Sequence, residues 1–258
     1  MTLIGIMGDV HGSVQATAYG LKLFKAQGID TVVQVGDFGF WPGEYGQKFL
    51  NAVSEHLTDN DQNLIVVPGN HEDYNQLKHL SSDEDGFHMS RTRIKVAPRG
   101  HRWSQDGVSF VALGGAPSVD RSYRVAQQRR TSHPLWWIDE AITDEDVQTT
   151  VSGGYADVMF AHDAPFGVEQ IERFIAPNPH GFAKQDLMYA LEGRERMRTA
   201  VEGVSPKIFC HGHYHHVIKD TLTLENSNEV QIRGLNADGK YGTYATLDLS
   251  DLSFQLLG

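Results

Sequence analysis

Short apolar runs alternate with amphipathic segments over the first third of the chain. Three runs have the length of buried strands, and each is followed directly by glycine or proline: Leu3–Met7, Thr31–Val35 and Leu64–Val67. Between them, apolar residues spaced three and four positions apart predict helices over Ser13–Gln27 and Phe49–Leu57. This alternation of strand and helix predicts parallel strands joined by crossover helices.

Further strand signals continue along the chain, with no internal repeat and no obvious linker. The middle contributes three short apolar runs, at Ile94–Val96, Val108–Leu113 and Val158–Ala161. The C-terminal part alternates polar and apolar residues, which is typical of antiparallel strands. The strands predicted there are Lys207–Cys210, Glu229–Arg233 and Thr243–Leu249, with turn signals at Asn236–Gly239.

The segment Ser118–Asp146 is polar and contains arginine and tryptophan residues. A connection of this length inside a compact domain is usually functional, so it predicts a lid or a substrate rim. Arg121 and Arg124 have the chemistry to hold a substrate phosphate, and a solvated loop accounts for them equally well. Trp136 and Trp137 are adjacent and cannot both face one way in a strand, so packing is favoured over stacking on a nucleobase.

Size, charge and cysteine content set broad limits on the protein. With 258 residues and 40% hydrophobic content, the chain can bury a substantial core, and one domain over residues 1–258 is expected. With a net charge of −11, the molecule as a whole does not attract nucleic acid or an anionic membrane electrostatically. Cys210, the only cysteine, excludes an intramolecular disulfide and is assigned to core packing.

The N-terminal residues lack the charged and apolar regions of a signal peptide. No apolar run approaches the ~20 residues that span a bilayer. We therefore expect a cytoplasmic protein without a membrane partner, and the oligomeric state stays open.

Side chains of the kind that bind metals follow five of the predicted strands. They are two carboxylates, one amide and four imidazoles, at Asp9, His11, Asp37, Asn70, His162, His213 and His215. Hard-to-borderline divalent ions such as manganese, zinc or ferrous iron bind this donor set well. His211 and His216 flank the last pair, and the register of Gly212 favours His213 and His215 over them. Open α/β sheets place their sites at the carboxyl ends of strands, so we expect these residues to converge.

The positions of the acidic residues suggest how two ions would be held. Asp9 and His11 are two positions apart at a strand end, so both can turn toward one ion. Asp37 can offer its two oxygens to two ions, which holds them the ~3.5–4 Å apart that two-metal sites require. Each residue alone also has a plainer interpretation, because Gly-Asp often marks a turn and an isolated histidine is usually structural. The ordered series carries the prediction.

The ordered motifs resemble those of the calcineurin-like metallophosphoesterase superfamily. The sequence around the motifs is similar to that of bacterial and phage members. The pattern D-x-H, G-D, G-N-H-[ED], a lone histidine and G-H-x-H spans residues 8–215 here. The resemblance implies an α/β fold of two facing mixed β-sheets flanked by helices, a four-layer architecture. It also implies one ion on Asp9, His11, Asp37 and His215, and a second ion on Asp37, Asn70, His162 and His213.

The resemblance further implies a binuclear hydrolase. In that family a metal-bridging hydroxide attacks phosphorus while a histidine protonates the leaving alkoxide, and His71 holds the matching position. Manganese is the favoured ion, with iron, zinc, nickel or cobalt as alternatives. The expected partner is a small phosphoester, hydrolysed by phosphodiesterase or phosphatase activity on nucleotide-like, including cyclic, substrates. A protein phosphatase, a nuclease or a non-catalytic binding module on the same fold are the alternatives, and the filled ligand positions count against the last.

The second motif departs from the family at one position. Members often carry Asp or Asn three residues after the aspartate of G-D, where it helps to orient the catalytic histidine, and an arginine frequently follows. Here that position is Phe40, and no arginine follows it. A missing partner of this kind can loosen the geometry of a ligand or an acid. Either another carboxylate replaces it, or His71 is a weaker acid.

Overall fold

The structure is a computed structural model that describes residues 2–257. Its α-helices are α1 (Val14–Lys25), α2 (Gly43–Asn60), α3 (Tyr74–Leu77), α4 (Arg121–Thr131), α5 (Asp144–Ser152), α6 (Glu169–Ile175) and α7 (Lys184–Val204), and one 3-10 turn spans Ile138–Glu140. Its strands are β1 (Leu3–Met7), β2 (Thr31–Gln34), β3 (Asn63–Val66), β4 (Ser81–Ser82), β5 (His88–Arg91), β6 (Ile94–Val96), β7 (Arg102–Gln105), β8 (Val108–Leu113), β9 (Val158–Ala161), β10 (Ile208–His211), β11 (Ile218–Thr223), β12 (Glu229–Gly234), β13 (Tyr244–Asp248) and β14 (Phe254–Leu257).

The strands form two mixed sheets that face each other. The larger sheet has the order β14-β13-β1-β2-β3-β6-β5-β4, and the smaller has the order β11-β12-β10-β9-β8-β7. Parallel pairing joins β1, β2, β3 and β6 in the larger sheet and β8, β9, β10 and β12 in the smaller. Two facing mixed sheets flanked by helices confirm the fold that the motifs imply.

Three apolar clusters hold the layers together. Between the sheets, side chains from both pack against each other, including Ile6, Phe110 and Cys210. Helices α1 and α2 cover the outer face of the larger sheet and bury residues such as Leu50, while α5 and α7 cover the smaller sheet and bury residues such as Met197. The burial of Cys210 confirms its assignment to packing. One domain over residues 1–258 stays a prediction.

The predicted helices and strands of the first third are present, with shifted ends. Helix α1 begins where Ser13 caps it, because the Ser13 hydroxyl accepts a hydrogen bond of 3.1 Å from the amide of Ala16. Helix α2 begins at Gly43, earlier than predicted. The prediction starts at Phe49 because the large apolar residues that α2 buries are found only from Phe49 onward.

Two predictions about the rest of the chain are wrong or incomplete. The segment Ser118–Asp146 contains helix α4, which its sequence does not signal because none of the residues of α4 is buried. The alternation predicts antiparallel pairing, which is wrong for β10, because β10 is parallel to both of its neighbours, β9 and β12. Strand β12 is parallel to β10 on one side and antiparallel to β11 on the other. Strand β13 is antiparallel, but it lies in the other sheet, beside β1. A polar–apolar pattern reports which face of a strand is buried and carries no information on its direction.

Helices α6 and α7 lie outside the elements that the pattern predicts, although α7 is the longest helix described. Within residues 2–257, no helix combines the length and the apolar character needed to cross a bilayer.

One carboxylate joins three strands of the smaller sheet at the end opposite the predicted ligands. Asp157, directly before β9, accepts hydrogen bonds from the amide and hydroxyl of Ser109 in β8, at 3.0 and 2.7 Å. It also accepts bonds from Tyr155 at 2.7 Å and from Lys207, directly before β10, at 3.0 Å. Against the effect of burial, the bonds from Ser109 come first among those that lower the pKa of Asp157.

We expect Asp157→Asn to lower the free energy of unfolding by about 2 kcal/mol at pH 7, because hydrogen bonds to a charged acceptor are lost. Since the folded-state pKa is lowered, this stabilisation is complete above about pH 4 and declines as the pH falls further. Urea unfolding of both proteins at several pH values measures the difference. Asp59→Asn, at an exposed position of α2, is the matched control. Equal stability of wild type and Asp157→Asn at pH 7 contradicts the prediction.

Candidate metal centre

Strand ends from both sheets bring the predicted ligands to one place. The residues that follow β1, β2 and β3 are Asp9, Asp37 and Asn70, and those that follow β9 and β10 are His162, His213 and His215. All five strands lie in the parallel parts of their sheets, so their carboxyl ends share an edge.

Four of the predicted ligands form a compact group of donor atoms. One donor atom each from Asp9, His11, Asp37 and His215 lies within 4.8 Å of the other three. His11 Nε2 is 3.5 Å from Asp37 Oδ2, and His215 Nε2 is 3.1 Å from Asp9 Oδ2. These four residues are the set that the motifs imply for the first ion.

Asp37 directs its other oxygen toward a second group of donors. Asp37 Oδ1 lies 3.3 Å from His162 Nε2, and the same nitrogen lies 3.0 Å from Asn70 Oδ1. The ring of His213 is next to the ring of His162, with centroids 5.0 Å apart. The two oxygens of one carboxylate therefore face different sets of donors, as a ligand shared by two ions requires.

The carboxylates of Asp9 and Asp37 are buried, and the basic side chains beside them are histidines. Asp9 is 0% exposed and Asp37 is 2% exposed. Throughout residues 2–257, their ion-pair partners are histidines, and neither is paired with lysine or arginine. Buried carboxylates are costly unless positive charge compensates them. The donor set and its burial therefore fit divalent cations, which would supply that charge.

Protons on two imidazoles compensate part of this charge in the free protein. Burial opposes protonation, but Asp37 raises the pKa of His11 to about 9 and the pKa of His162 to about 10. Against the same effect of burial, His71 and His162 hold the pKa of Asp37 well below its ordinary value. Metal ligation needs neutral imidazoles, so an ion would bind in competition with these protons.

Glycines and strained backbone make room for the ligands. A Cβ on Gly69 would lie 2.3 Å from Asp37 Oδ1, and a Cβ on Gly212 would lie 2.1 Å from Asp9 Oδ1. A side chain at either position would displace a carboxylate. Positive φ angles, which favour glycine elsewhere, are found at four of the predicted ligands: His11 (44°), Asp37 (53°), His213 (69°) and His215 (53°).

A buried chain of hydrogen bonds orients the amide of Asn70. Its Nδ2 donates to Ser118 Oγ at 2.9 Å, which turns its carbonyl oxygen toward His162. The Ser118 hydroxyl and amide in turn donate to Glu140 at 2.6 and 2.7 Å, and Trp136 Nε1 donates to the same carboxylate at 2.8 Å. Burial raises the pKa of Glu140 to about 7. Ser118 and Glu140 are not predicted from the sequence, because no local spacing marks their contact.

The ring of His71 contacts an arginine and not the residue at position 40. Phe40 is fully buried in the core and does not reach the ring. Two guanidinium nitrogens of Arg124 lie 3.1 and 2.5 Å from the ring nitrogens, and Arg124 Nε donates to Asp120 at 2.7 Å. Burial and Arg124 lower the pKa of His71, while Asp37 opposes them. A carboxylate thus acts on His71 indirectly, through the guanidinium that it holds.

The other sequence candidates near the site occupy different places. The guanidinium of Arg121 lies over the ring of Tyr189, 4.4 Å from its centroid, and not against His71. The ring of Trp137 packs in the core at 7% exposure, as predicted, while Trp136 binds Glu140.

The two histidines that flank the last motif are outside the donor group. His211 is fully buried, and its Nδ1 lies 2.9 Å from the carbonyl oxygen of Gly212. His216 is exposed, and its ring packs against Phe174 with centroids 4.2 Å apart. The structure thus favours the register that places His213 and His215 at the site.

Several solved structures have the same fold as this chain. A dimetal phosphatase from Danio rerio has a TM-score of 0.54 at 14% sequence identity, covering 95% of this chain and 91% of that one. A protein of Thermus thermophilus has a TM-score of 0.54 at 12% identity, covering 100% of this chain and 98% of that one. At such identities the likeness establishes the fold. Among curated proteins, none matches the sequence.

A match to a sequence model of a protein family assigns the chain to a family, which the shared fold alone does not do. The model of the calcineurin-like phosphoesterases matches residues 2–217, a range that includes every predicted ligand. The chain belongs to the calcineurin-like phosphoesterase family.

Proposed function

We propose that the protein is a phosphoesterase that uses two divalent ions, with manganese favoured, to hydrolyse small phosphoesters. The observation that carries the proposal is the position of Asp37, whose two oxygens face two separate groups of donors. Asp9, His11 and His215 would complete the first set of ligands around it. Asn70, His162 and His213 would complete the second.

When bound, the ions supply Lewis acidity that polarises phosphorus and lowers the pKa of a bound water. The protein's own residues position the rest. His71 is proposed to protonate the leaving oxygen, since its backbone amide is tied to Asp37 Oδ1 at 2.9 Å and its ring stands at the open side of the site. Arg124 is proposed to exchange its contact with His71 for a phosphate oxygen, because guanidinium groups bind phosphate through paired N–H donors. Arg121, held over Tyr189, is the weaker candidate for this role.

A small, nucleotide-like phosphodiester or phosphomonoester is the proposed substrate. The net charge of −11 argues against a long polyanion as the partner. A protein phosphatase remains the alternative enzyme. A non-catalytic binding module is disfavoured, because every ligand position is filled and four of the predicted ligands form one group of donor atoms.

We expect the purified protein to hydrolyse bis-p-nitrophenyl phosphate when manganese is added and to stop when the metal is chelated. Asp37→Asn should reduce the rate to background, because the shared carboxylate is lost. Asp59→Asn, the same change at an exposed position of α2, is the matched control and should keep wild-type activity. If no phosphomonoester or phosphodiester is hydrolysed with any of the candidate metals, the binding module becomes the better explanation.

Metal affinity should rise with pH between about 6 and 9. The pKa of His11 is about 9 and that of His162 about 10 in the free protein, so both are protonated at pH 7 and must lose a proton to bind an ion. Each displaced proton increases the apparent affinity by about tenfold per pH unit. Calorimetry with Mn²⁺ in two buffers of different ionisation enthalpy measures the protons released. An affinity that does not change with pH, with no proton release, would show that these imidazoles are not ligands.

His71→Ala should lower turnover of an alkyl phosphoester by roughly 10²–10⁴-fold, the usual contribution of general acid catalysis. A phenolic leaving group needs less protonation, so the same change should affect p-nitrophenyl esters far less. His79→Ala, on the exposed surface after α3, is the control. Equal losses on both kinds of ester would assign His71 to binding or structure instead.

A further inference from the structure

A cavity opens directly beside the donor group. Its volume is about 540 Å³, within the range of roughly 300–1,000 Å³ that is usual for small-molecule sites. His213 and His215 belong both to its wall and to the predicted ligand set. A substrate whose phosphate lies on the metal centre would therefore extend its organic part into this space.

Aromatic side chains form much of the cavity wall. Phe166 and Phe174 are 43% and 36% exposed, although side chains of this size are normally buried, and Phe182 and Tyr214 line the same space. Exposed apolar surface in a concave site indicates a ligand that covers it. Aromatic faces favour a flat, conjugated ligand, because the two π-systems stack.

One face of α7 forms the opposite wall. Leu187, Ala190, Leu191 and Arg194 are spaced three and four positions apart, so they share one side of the helix. Such an apolar stripe normally packs into a core, but its first three members here stay half-exposed and line the cavity. Ala190, the smallest of them, leaves the space open.

Buried charged groups also line this apolar space. Asp163 is 2% exposed, and its Oδ1 accepts a hydrogen bond of 2.7 Å from the hydroxyl of Tyr214. Arg194 is 3% exposed and is paired with Glu172, but its Nε is buried and has no hydrogen-bond partner within the described residues. The cavity thus combines aromatic walls with both acceptors and a donor, the combination that orients a ligand with a polar edge.

We propose that this cavity binds the nucleobase of a nucleoside phosphoester. A nucleobase is flat enough to stack on the phenylalanines and carries hydrogen-bond donors and acceptors along its edge. A simple phenyl ring would satisfy the walls and leave the buried Arg194 Nε without a partner. The inference rests on the proposed function for its account of catalysis, and it adds the place where the base of a nucleotide-like substrate is recognised.

The first test compares substrates that differ only in the base. Ribose 5-phosphate lacks the base of the four common ribonucleoside 5′-monophosphates, and methyl esters of the same compounds serve for diesterase activity. With manganese, we expect kcat/KM to be about tenfold or more higher for at least one nucleotide than for the ribose compound. 2-Phenylethyl phosphate, an aromatic ester of an aliphatic alcohol without a polar edge, should be hydrolysed less efficiently than that nucleotide. If the base gives no advantage, or if 2-phenylethyl phosphate equals the best nucleotide, the proposal is overturned.

The second test fills the cavity. Ala190→Trp should reduce the ratio of kcat/KM for the nucleotide to that for ribose 5-phosphate to near one. Met188→Trp is the matched control, because Met188 lies on the exposed side of the same helix and is 51% exposed. It should keep the wild-type ratio. Phe174→Ala removes a wall without adding bulk and should lower the same ratio, so the test stands even if Ala190→Trp does not fold. Variants that keep the wild-type ratio contradict the proposal.

Binding of free nucleosides separates this inference from the proposed function. Metal-free protein is titrated with adenosine, guanosine, cytidine and uridine, and binding is followed by calorimetry. At least one nucleoside should bind to wild type and to Met188→Trp, but not to Ala190→Trp. Such binding without hydrolysis of any phosphoester would support the cavity and remove the phosphoesterase. Hydrolysis without a preference for the base and without nucleoside binding would do the reverse.

Discussion

The site depends on holding the carboxylates of Asp9 and Asp37 away from water, with no lysine or arginine of residues 2–257 paired with them. Buried negative charge of this kind is stable only when something positive is drawn to it. In the protein without metal, protonated His11 and His162 supply this positive charge. Divalent cations would supply it as well, so protons and metal ions compete to neutralise the same buried carboxylates.

The fold satisfies this constraint by using the edge of each sheet. Parallel strands end at a common edge, and each end adds one or two donors on a short, tightly turned loop. Glycines in the motifs allow the loops to pass within contact distance of a neighbouring carboxylate, as Gly69 and Gly212 show. The strain of positive φ angles at several of the predicted ligands is maintained because the strand before each loop fixes the backbone. Rigid sheets therefore determine the distances between donors that come from distant parts of the sequence.

The sequence predicts this framework well because both of its signals are local. Apolar runs such as Leu3–Met7 mark buried strands, and short motifs such as Gly69-Asn70-His71-Glu72 mark their ends. Features that depend on distant contacts are not visible in this way. Helix α4 has no buried face, the direction of β12 is set by its neighbours, and the support of Asn70 by Glu140 joins residues from distant parts of the chain. Arg124 was a candidate from its chemistry alone, but its contact with His71 required the fold.

The hydrogen bonds from Asn70 through Ser118 to Glu140 connect the candidate metal centre to the segment Ser118–Asp146, which is predicted to form its rim. Such rims usually diverge among relatives, since new loops bring new specificities on an unchanged scaffold. In this protein, a loop that replaced Ser118–Asp146 would also replace Ser118 and Glu140, which orient the predicted ligand Asn70. Evolution of this enzyme toward other substrates is therefore restricted to loops that preserve a buried hydroxyl and acid at these two points. A change of loop that altered the selectivity for substrates would therefore also alter the affinity for metal ions.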